Sequence, residues 1–196
     1  MRADLLLAFA AAWGALVVLP GPDTALVVAR TVGNGRRAGV VAAAGSLTAL
    51  TAHVTLAALG LAAIVAQSAT AFTAIKLAGA AYLVWLGLRM LRTRSADGDL
   101  RPPIAVPGFR GAVLTGLLNP KSAVFFLTFL PQFIDRDLAA APQFAVLGLV
   151  TIVLAGLWHA VLIALTGGVR RVVAGPWFQR VTGGAFVVLG AKLAAG

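Results

Sequence analysis

The chain has 196 residues, of which 60% are hydrophobic and 11% are charged, and its net charge is +10. A soluble domain carries about 25% charged residues, so this composition, with a mean hydropathy of +0.96, excludes an ordinary soluble protein and predicts a membrane protein. The chain has no cysteine, which excludes a disulfide framework, thiol redox chemistry and thiolate metal sites.

Six apolar segments follow one another, each near the length of about 20 residues that crosses a bilayer. We predict membrane helices at about 5–29, 39–66, 69–91, 110–134, 143–167 and 176–195. The first segment resembles a signal peptide, but its apolar run continues past the small-residue triplet at 8–10, and Asp4 weakens the basic flank. It is therefore predicted to be a retained helix. The fold class is all-α, a polytopic membrane protein of six transmembrane helices.

The links between these segments differ in positive charge. Links 1–2, 3–4 and 5–6 carry arginines, namely Arg30, Arg36, Arg37, Arg92, Arg94, Arg101, Arg170, Arg171 and Arg180. The other two links carry almost none. Positive residues mark cytoplasmic loops, so we predict a multi-pass protein of the bacterial inner membrane with both termini outside. Basic residues placed between apolar runs are topology signals, and no nucleic-acid partner is predicted from them.

The longest polar stretch precedes the fourth segment. Residues 93–108 contain Asp97, Asp99 and several prolines, and are predicted to form an irregular cytoplasmic linker. A single membrane transport domain, 1–196, is thereby divided into two halves, 1–92 and 109–196. Each half contains three segments.

The two halves resemble each other in sequence. Residues 22–28 and 120–126 have the same residue class at every position except the second, where the charge inverts. A second match pairs 79–84 with 183–188, and the two histidines of the chain fall in the corresponding segments 2 and 5. Since three spans carry the chain to the other side of the membrane, the second half enters inverted. Inverted repeats of this kind are typical of secondary transporters.

Prolines interrupt the two corresponding segments 1 and 4. The interruptions are Pro20-Gly21-Pro22 and Asn119-Pro120. Each proline removes a backbone donor and breaks the helix, and free backbone polar groups inside a membrane belong around a cavity or a protein-buried site. A restarted helix also offers an N-terminus that attracts a carboxylate. The alternative is that these prolines only kink packed helices.

Asp23 and Lys121 are opposite charges that follow the two interruptions. Ionisable groups inside membranes are expensive and often mark transport pathways. On the functional interpretation, Asp23 is a proton-coupling or substrate-ammonium site, and Lys121 binds a substrate carboxylate or is the counter-ion of Asp23. On the structural interpretation, the two form a static ion pair.

His53 and His159 lie within segments 2 and 5 and are candidates for a proton path, because histidine titrates near neutral pH. The alternative is that each packs or forms a hydrogen bond between helices. Glycines of segments 3 and 6, among them Gly79, Gly87 and Gly183, are predicted to permit close helix packing rather than to contact substrate.

These motifs, in their order along nearly the whole chain, resemble the LysE/RhtB family of amino-acid exporters. The resembling stretches are residues 20–23 (PGPD), 75–87 (IKLAGAAYLVWLG), 108–111 (GFRG), 118–121 (LNPK) and 129–133 (FLPQF). The resemblance implies efflux of lysine, arginine, homoserine, threonine, leucine or related compounds, driven by the proton motive force without ATP. It implies a central motif of matching residues, namely Pro20, Gly21, Pro22, Asp23, Asn119, Pro120 and Lys121.

The sequence therefore predicts a proton-coupled exporter of amino acids or close derivatives that works by alternating access, with no cofactor. An exporter of an inorganic or metal cation is the alternative, although one aspartate and two histidines are a thin ligand set. An enzyme is not predicted, because no paired nucleophile and base is visible. The predicted partners are a small-molecule substrate and the lipid bilayer, and a homodimer remains open.

Overall fold

The computed structural model describes residues 1–19, 21–67, 69–92, 108–135, 137–165 and 176–195. Every regular element in these ranges is helical, with no strand among them, which confirms the predicted all-α class. The helices are α1 (Ala3–Val18), α2 (Pro22–Asn34), α3 (Arg36–Gln67), α4 (Ala69–Arg92), α5 (Gly108–Leu117), α6 (Pro120–Val124), α7 (Ala140–Ala164) and α8 (Pro176–Ala195). A π-helical turn, Phe125–Phe129, and a 3-10 turn, Leu130–Phe133, extend α6.

Several of these helices are long and apolar enough to cross a membrane. Within the described residues, Arg36–Gly60 of α3 and Ala140–Ala164 each qualify alone. Two bent pairs qualify if each counts as one span: α1 with α2, bent by 50°, and α5 with Pro120–Phe133, bent by 46°. The described part of the chain thus contains two to four candidate spans, and the protein is a polytopic helical membrane protein.

The remaining predictions about architecture are met only in part. Helices α4 and α8 coincide with predicted segments 3 and 6 but are not among the spans that qualify in the described chain, so a count of six stays a prediction. Pro20 and the predicted linker up to residue 107 lie outside the described residues. The division into two halves is therefore also still a prediction.

The helix breaks occur where the sequence predicts them. Leu19, Gly21 and Asn119 each precede a proline, and all three have extended backbone conformations. The cause is local, because a proline ring clashes with a preceding residue in the helical conformation. Pro22 and Pro120 then occupy the first helical positions of α2 and α6, where the missing N–H costs nothing.

A cluster of aromatic side chains holds α1 against the π-helical turn that extends α6. The ring of Trp13 lies 5.0 Å from that of Phe125 and 5.1 Å from that of Phe126, measured between centroids. The indole nitrogen of Trp13 also donates to the Thr151 carbonyl of α7 at 3.1 Å. Both Trp13 and Phe126 are fully buried. This packing fixes the last turns of α1 beside α6 and α7.

Helices α4 and α8, which contain the second pair of matching sequences, pack directly against each other. A β-carbon added at Gly87 would lie 2.5 Å from the Gly183 carbonyl oxygen, and one added at Gly183 would lie 2.7 Å from that of Gly87. No larger residue fits at either position without a shift of backbone. The predicted packing role of these glycines is confirmed.

Candidate functional site

Asn119 connects the two helix breaks. Its side-chain oxygen accepts a hydrogen bond from the Lys121 backbone amide at 3.1 Å and so caps α6. Its side-chain nitrogen donates to Oδ2 of Asp23, in the first turn of α2, at 2.6 Å. One buried amide group therefore ties together the starts of α2 and α6, which lie in different halves of the chain.

The ammonium group of Lys121 lies at the end of α1. Its Nζ donates to the carbonyls of Leu16 and Leu19 at 3.2 and 3.0 Å. Carbonyls at the end of a helix have few partners inside it, and a cation is favoured at that end of the helix dipole. No ion pair of 4.0 Å or less joins Lys121 to Asp23, although the structure describes both. Lys121 and Asp23 therefore do not form a direct ion pair in this structure.

Gly21 leaves the space that Lys121 needs. A β-carbon added at Gly21 would lie 3.1 Å from Nζ and 3.2 Å from Cε of Lys121. The backbone of Gly21 is extended, with φ of −153°, a conformation open to any residue. An added methyl group would therefore crowd the lysine side chain, whereas the backbone conformation itself does not call for glycine.

These groups surround a small buried cavity. The residues that line it are Trp13, Val17, Asp23, Thr24, Ser46, Leu50, Lys121, Ser122 and His159. Its volume is about 10 Å³, near the space that one water molecule needs. Pockets that bind small molecules have volumes of about 300–1,000 Å³, so in this conformation the space is too small for an amino acid.

The two histidines have different surroundings. His159 of α7 is 3% exposed and lines the cavity, and its Nδ1 has no hydrogen-bond partner within the described chain. His53 of α3 does not line the cavity. Its Nε2 lies 3.1 Å from the Gly116 carbonyl oxygen, and its ring stacks on Phe126 at 5.9 Å.

The structure thus brings most of the predicted site residues together. Around the cavity and its bracing contacts lie Gly21, Pro22, Asp23, Asn119, Pro120, Lys121 and His159, while Pro20 lies outside the described residues. Sequence reasoning missed Ser46 and Trp13, which also line the cavity. Ser46 lies two turns before His53 in α3, but a lone serine in an apolar helix carries no signal of its own.

A metal site finds no support in this arrangement. The described residues contain no group of three or more His, Cys, Asp or Glu side chains that could hold a metal ion. The polar groups at the cavity are instead one carboxylate, one ammonium, one imidazole and several hydroxyls. This combination of acidic and basic groups suits a small zwitterion better than a bare cation.

Known proteins resemble this chain along most of its length. A protein of Vibrio cholerae named only as an uncharacterized membrane protein is 38% identical over 160 residues, which cover 80% of this chain and 78% of that protein. A homoserine/homoserine lactone efflux protein of Salmonella typhimurium is 31% identical over 188 residues, covering 92% of this chain and 91% of that protein.

A leucine efflux protein of Salmonella choleraesuis is 33% identical over 124 residues, which cover 61% of this chain and 58% of that protein. No solved structure matches the chain. The family of LysE type translocators matches residues 14–196, which include both helix breaks and every residue that lines the cavity except Trp13. The chain therefore belongs to the LysE type translocator family, whose members are membrane transporters and not enzymes.

Proposed function

We propose that this protein exports amino acids or close derivatives from the cell as a proton-coupled secondary transporter. Relatives named for the efflux of homoserine and of leucine, each at least 31% identical, support this class of substrate. The observation that carries the proposal is the small cavity beside the two helix breaks, which is lined by a buried carboxylate and a buried ammonium group.

The polar groups of the cavity match the two ends of an amino acid. Two of the three N–H donors of the Lys121 ammonium group are held by the α1 carbonyls, which leaves one for a substrate carboxylate. The starts of α2 and α6 add the positive ends of two helix dipoles. Asp23 is the acid that binds the substrate ammonium group, through the oxygen that Asn119 does not occupy.

Asp23 also couples transport to protons in this proposal. A carboxylate that has taken up a proton no longer attracts an ammonium group, so protonation and substrate binding exclude each other at Asp23. A proton that enters from outside then displaces the substrate, and the empty carrier returns with the proton. Export is in this way driven by the inward proton gradient.

Opening of the cavity requires that the two halves move. The two bent spans, by 50° and 46°, occupy matching places in the halves 1–92 and 109–196 and support an inverted repeat. We assign six spans, a linker at 93–108, and both termini to the outside of the inner membrane, on the arginine distribution. Alternating access follows if one half rocks against the other around the Asn119 contact.

Extracellular metabolite profiling tests the proposal. Cells that express the wild type or Asp23→Asn are loaded with dipeptides that raise cytoplasmic amino acids, and the medium is then analysed by mass spectrometry. We expect one or a few amino acids to accumulate outside only with the wild type. Equal accumulation with Asp23→Asn refutes coupling at Asp23, and no accumulation with either protein, together with metal tolerance, favours cation export.

A further inference from the structure

Three residues that line the cavity each have a buried polar atom without a hydrogen-bond partner in the described chain. These atoms are Oδ1 of Asp23, Oγ of Ser46 and Nδ1 of His159, and all three residues line the same space. Their side chains are 8%, 1% and 3% exposed, and they come from α2, α3 and α7. Buried polar groups in proteins are nearly always hydrogen-bonded, so three unsatisfied groups that line one space indicate a shared ligand.

The space fits one water molecule. A cavity needs about 10–15 Å³ to hold a water, and this one measures about 10 Å³. A buried water makes about three hydrogen bonds, which equals the number of unpartnered atoms here. The chemistry agrees, because a carboxylate accepts, a hydroxyl donates or accepts, and a ring nitrogen does either. A hard cation would need about six ligands, twice what these atoms supply.

We propose that a single water bound between Asp23, Ser46 and His159 relays a proton between the carboxyl group of α2 and the imidazole of α7. The proposal rests on the proposed function and adds the second proton site that Asp23 alone does not provide. The protonated Asp23 gives its proton to the water, and the water gives one of its own protons to Nδ1 of His159. The products are a carboxylate, an imidazolium and the same water, so nothing else is consumed.

The surroundings distinguish His159 from His53 in this role. The charged or titratable groups that face the cavity are Asp23 of α2, Lys121 of α6 and His159 of α7. His53 of α3 contacts the Gly116 carbonyl instead and does not border the cavity. Ser46 is a positioning residue, because its hydroxyl holds the water without carrying a charge.

Transport into liposomes that contain the purified protein separates proton movement from substrate binding. Exchange of labelled for unlabelled homoserine or leucine at equal pH needs no net proton transfer, whereas uptake driven by a pH gradient does. His159→Gln, whose amide cannot carry a proton, is expected to lower gradient-driven transport at least tenfold more than it lowers exchange.

Two outcomes for His159→Gln would overturn the relay. One is gradient-driven transport that persists at the wild-type rate. The other is an equal loss of both activities, which would show that His159 holds the substrate or the fold. If transport by the wild type is driven by a sodium gradient instead of a pH gradient, the cavity binds a sodium ion rather than a water, and the relay is also refuted. Failure of the wild type in both assays would refute the proposed function itself.

A second pair of variants tests the water without altering a titratable group. Ser46→Ala removes one partner of the water, and Thr48→Ala removes a hydroxyl from the same helix. Thr48 is exposed and bonds the Ala44 carbonyl one turn away, so it serves as the matched control. We expect Ser46→Ala to slow gradient-driven transport several-fold more than it slows exchange. Identical behaviour of the two variants would refute the bridge.

Discussion

Asn119 makes two separable hydrogen bonds, so two substitutions can distinguish its roles. Its oxygen caps α6, and its nitrogen donates to Asp23 at 2.6 Å. Asn119→Ser keeps a good capping oxygen but is too short to reach Asp23 as well, because a hydroxyl replaces the whole amide. Asn119→Ala loses both contacts. Asn34, the other asparagine of the chain, is exposed at the end of α2 and provides the control Asn34→Ala.

The two hydrogen bonds contribute different amounts to the free energy of unfolding. Loss of a helix cap costs about 1 kcal/mol, and loss of a buried hydrogen bond to a charged group costs about 1.5–3 kcal/mol. We therefore expect Asn119→Ser to lower the free energy of unfolding by about 1.5–3 kcal/mol and Asn119→Ala by about 1 kcal/mol more. Asn119 is 1% exposed, so solvent does not weaken these hydrogen bonds and the full values are expected.

The assays are thermal unfolding in detergent and amino-acid transport in liposomes. The unfolding temperature is expected to fall in the order wild type, Ser, Ala, with Asn34→Ala equal to the wild type. Transport is expected to fall at least tenfold in both Asn119 variants, since about 1.4 kcal/mol corresponds to tenfold in an equilibrium at Asp23. Wild-type transport by Asn119→Ser would refute the reasoning, as would equal stability of the Ser and Ala variants.

Three further substitutions test the packing, each by thermal unfolding in detergent. A β-carbon added at Gly45 would lie 2.6 Å from the β-carbon of Ala112 in α5, so Gly45→Val is expected to lower the free energy of unfolding by about 1–3 kcal/mol. Gly60 has no such neighbour within 4 Å, so the control Gly60→Val should lower it by less than about 1 kcal/mol, and equal effects would contradict this. Gln143→Ala should lower the free energy of unfolding by about 1–3 kcal/mol, because the buried amide forms hydrogen bonds with backbone groups of Asp135, Leu138 and Ala139. An unchanged unfolding temperature would contradict this. Trp13→Phe keeps an aromatic ring but loses the hydrogen bond to the Thr151 carbonyl, so it should lower the free energy of unfolding by about 1 kcal/mol. A variant more stable than the wild type would contradict this.

The positions of the helices and of their breaks could be predicted because local chemistry decides them. Leu19 and Asn119 leave the helical conformation for the same reason, a following proline, and that reason is visible in the sequence. The apolar runs likewise predicted the ends of the six segments to within about three residues, except that α2 continues to Asn34, beyond the predicted end of segment 1 at residue 29.

The contacts of the charged groups could not be predicted in the same way. Opposite charges after matching breaks suggested an ion pair, whereas Lys121 donates to carbonyls of α1 and Asp23 accepts from Asn119. The competing partners are backbone carbonyls, which every sequence contains, so residue types alone do not reveal them. Ser46 was missed for a related reason, because a lone serine in an apolar helix is common and its meaning depends on what faces it.

The close approach of Gly21 to Lys121 makes these two positions dependent on each other over evolution. Alanine at position 21 meets the lysine side chain at 3.1 Å, but meets no such atom once position 121 is alanine. In a double-mutant cycle, Gly21→Ala is therefore expected to be harmful beside Lys121 and nearly neutral beside Lys121→Ala, a coupling within the usual range of about 0.5–3 kcal/mol. The glycine and the lysine should accordingly be retained or lost together as related sequences diverge.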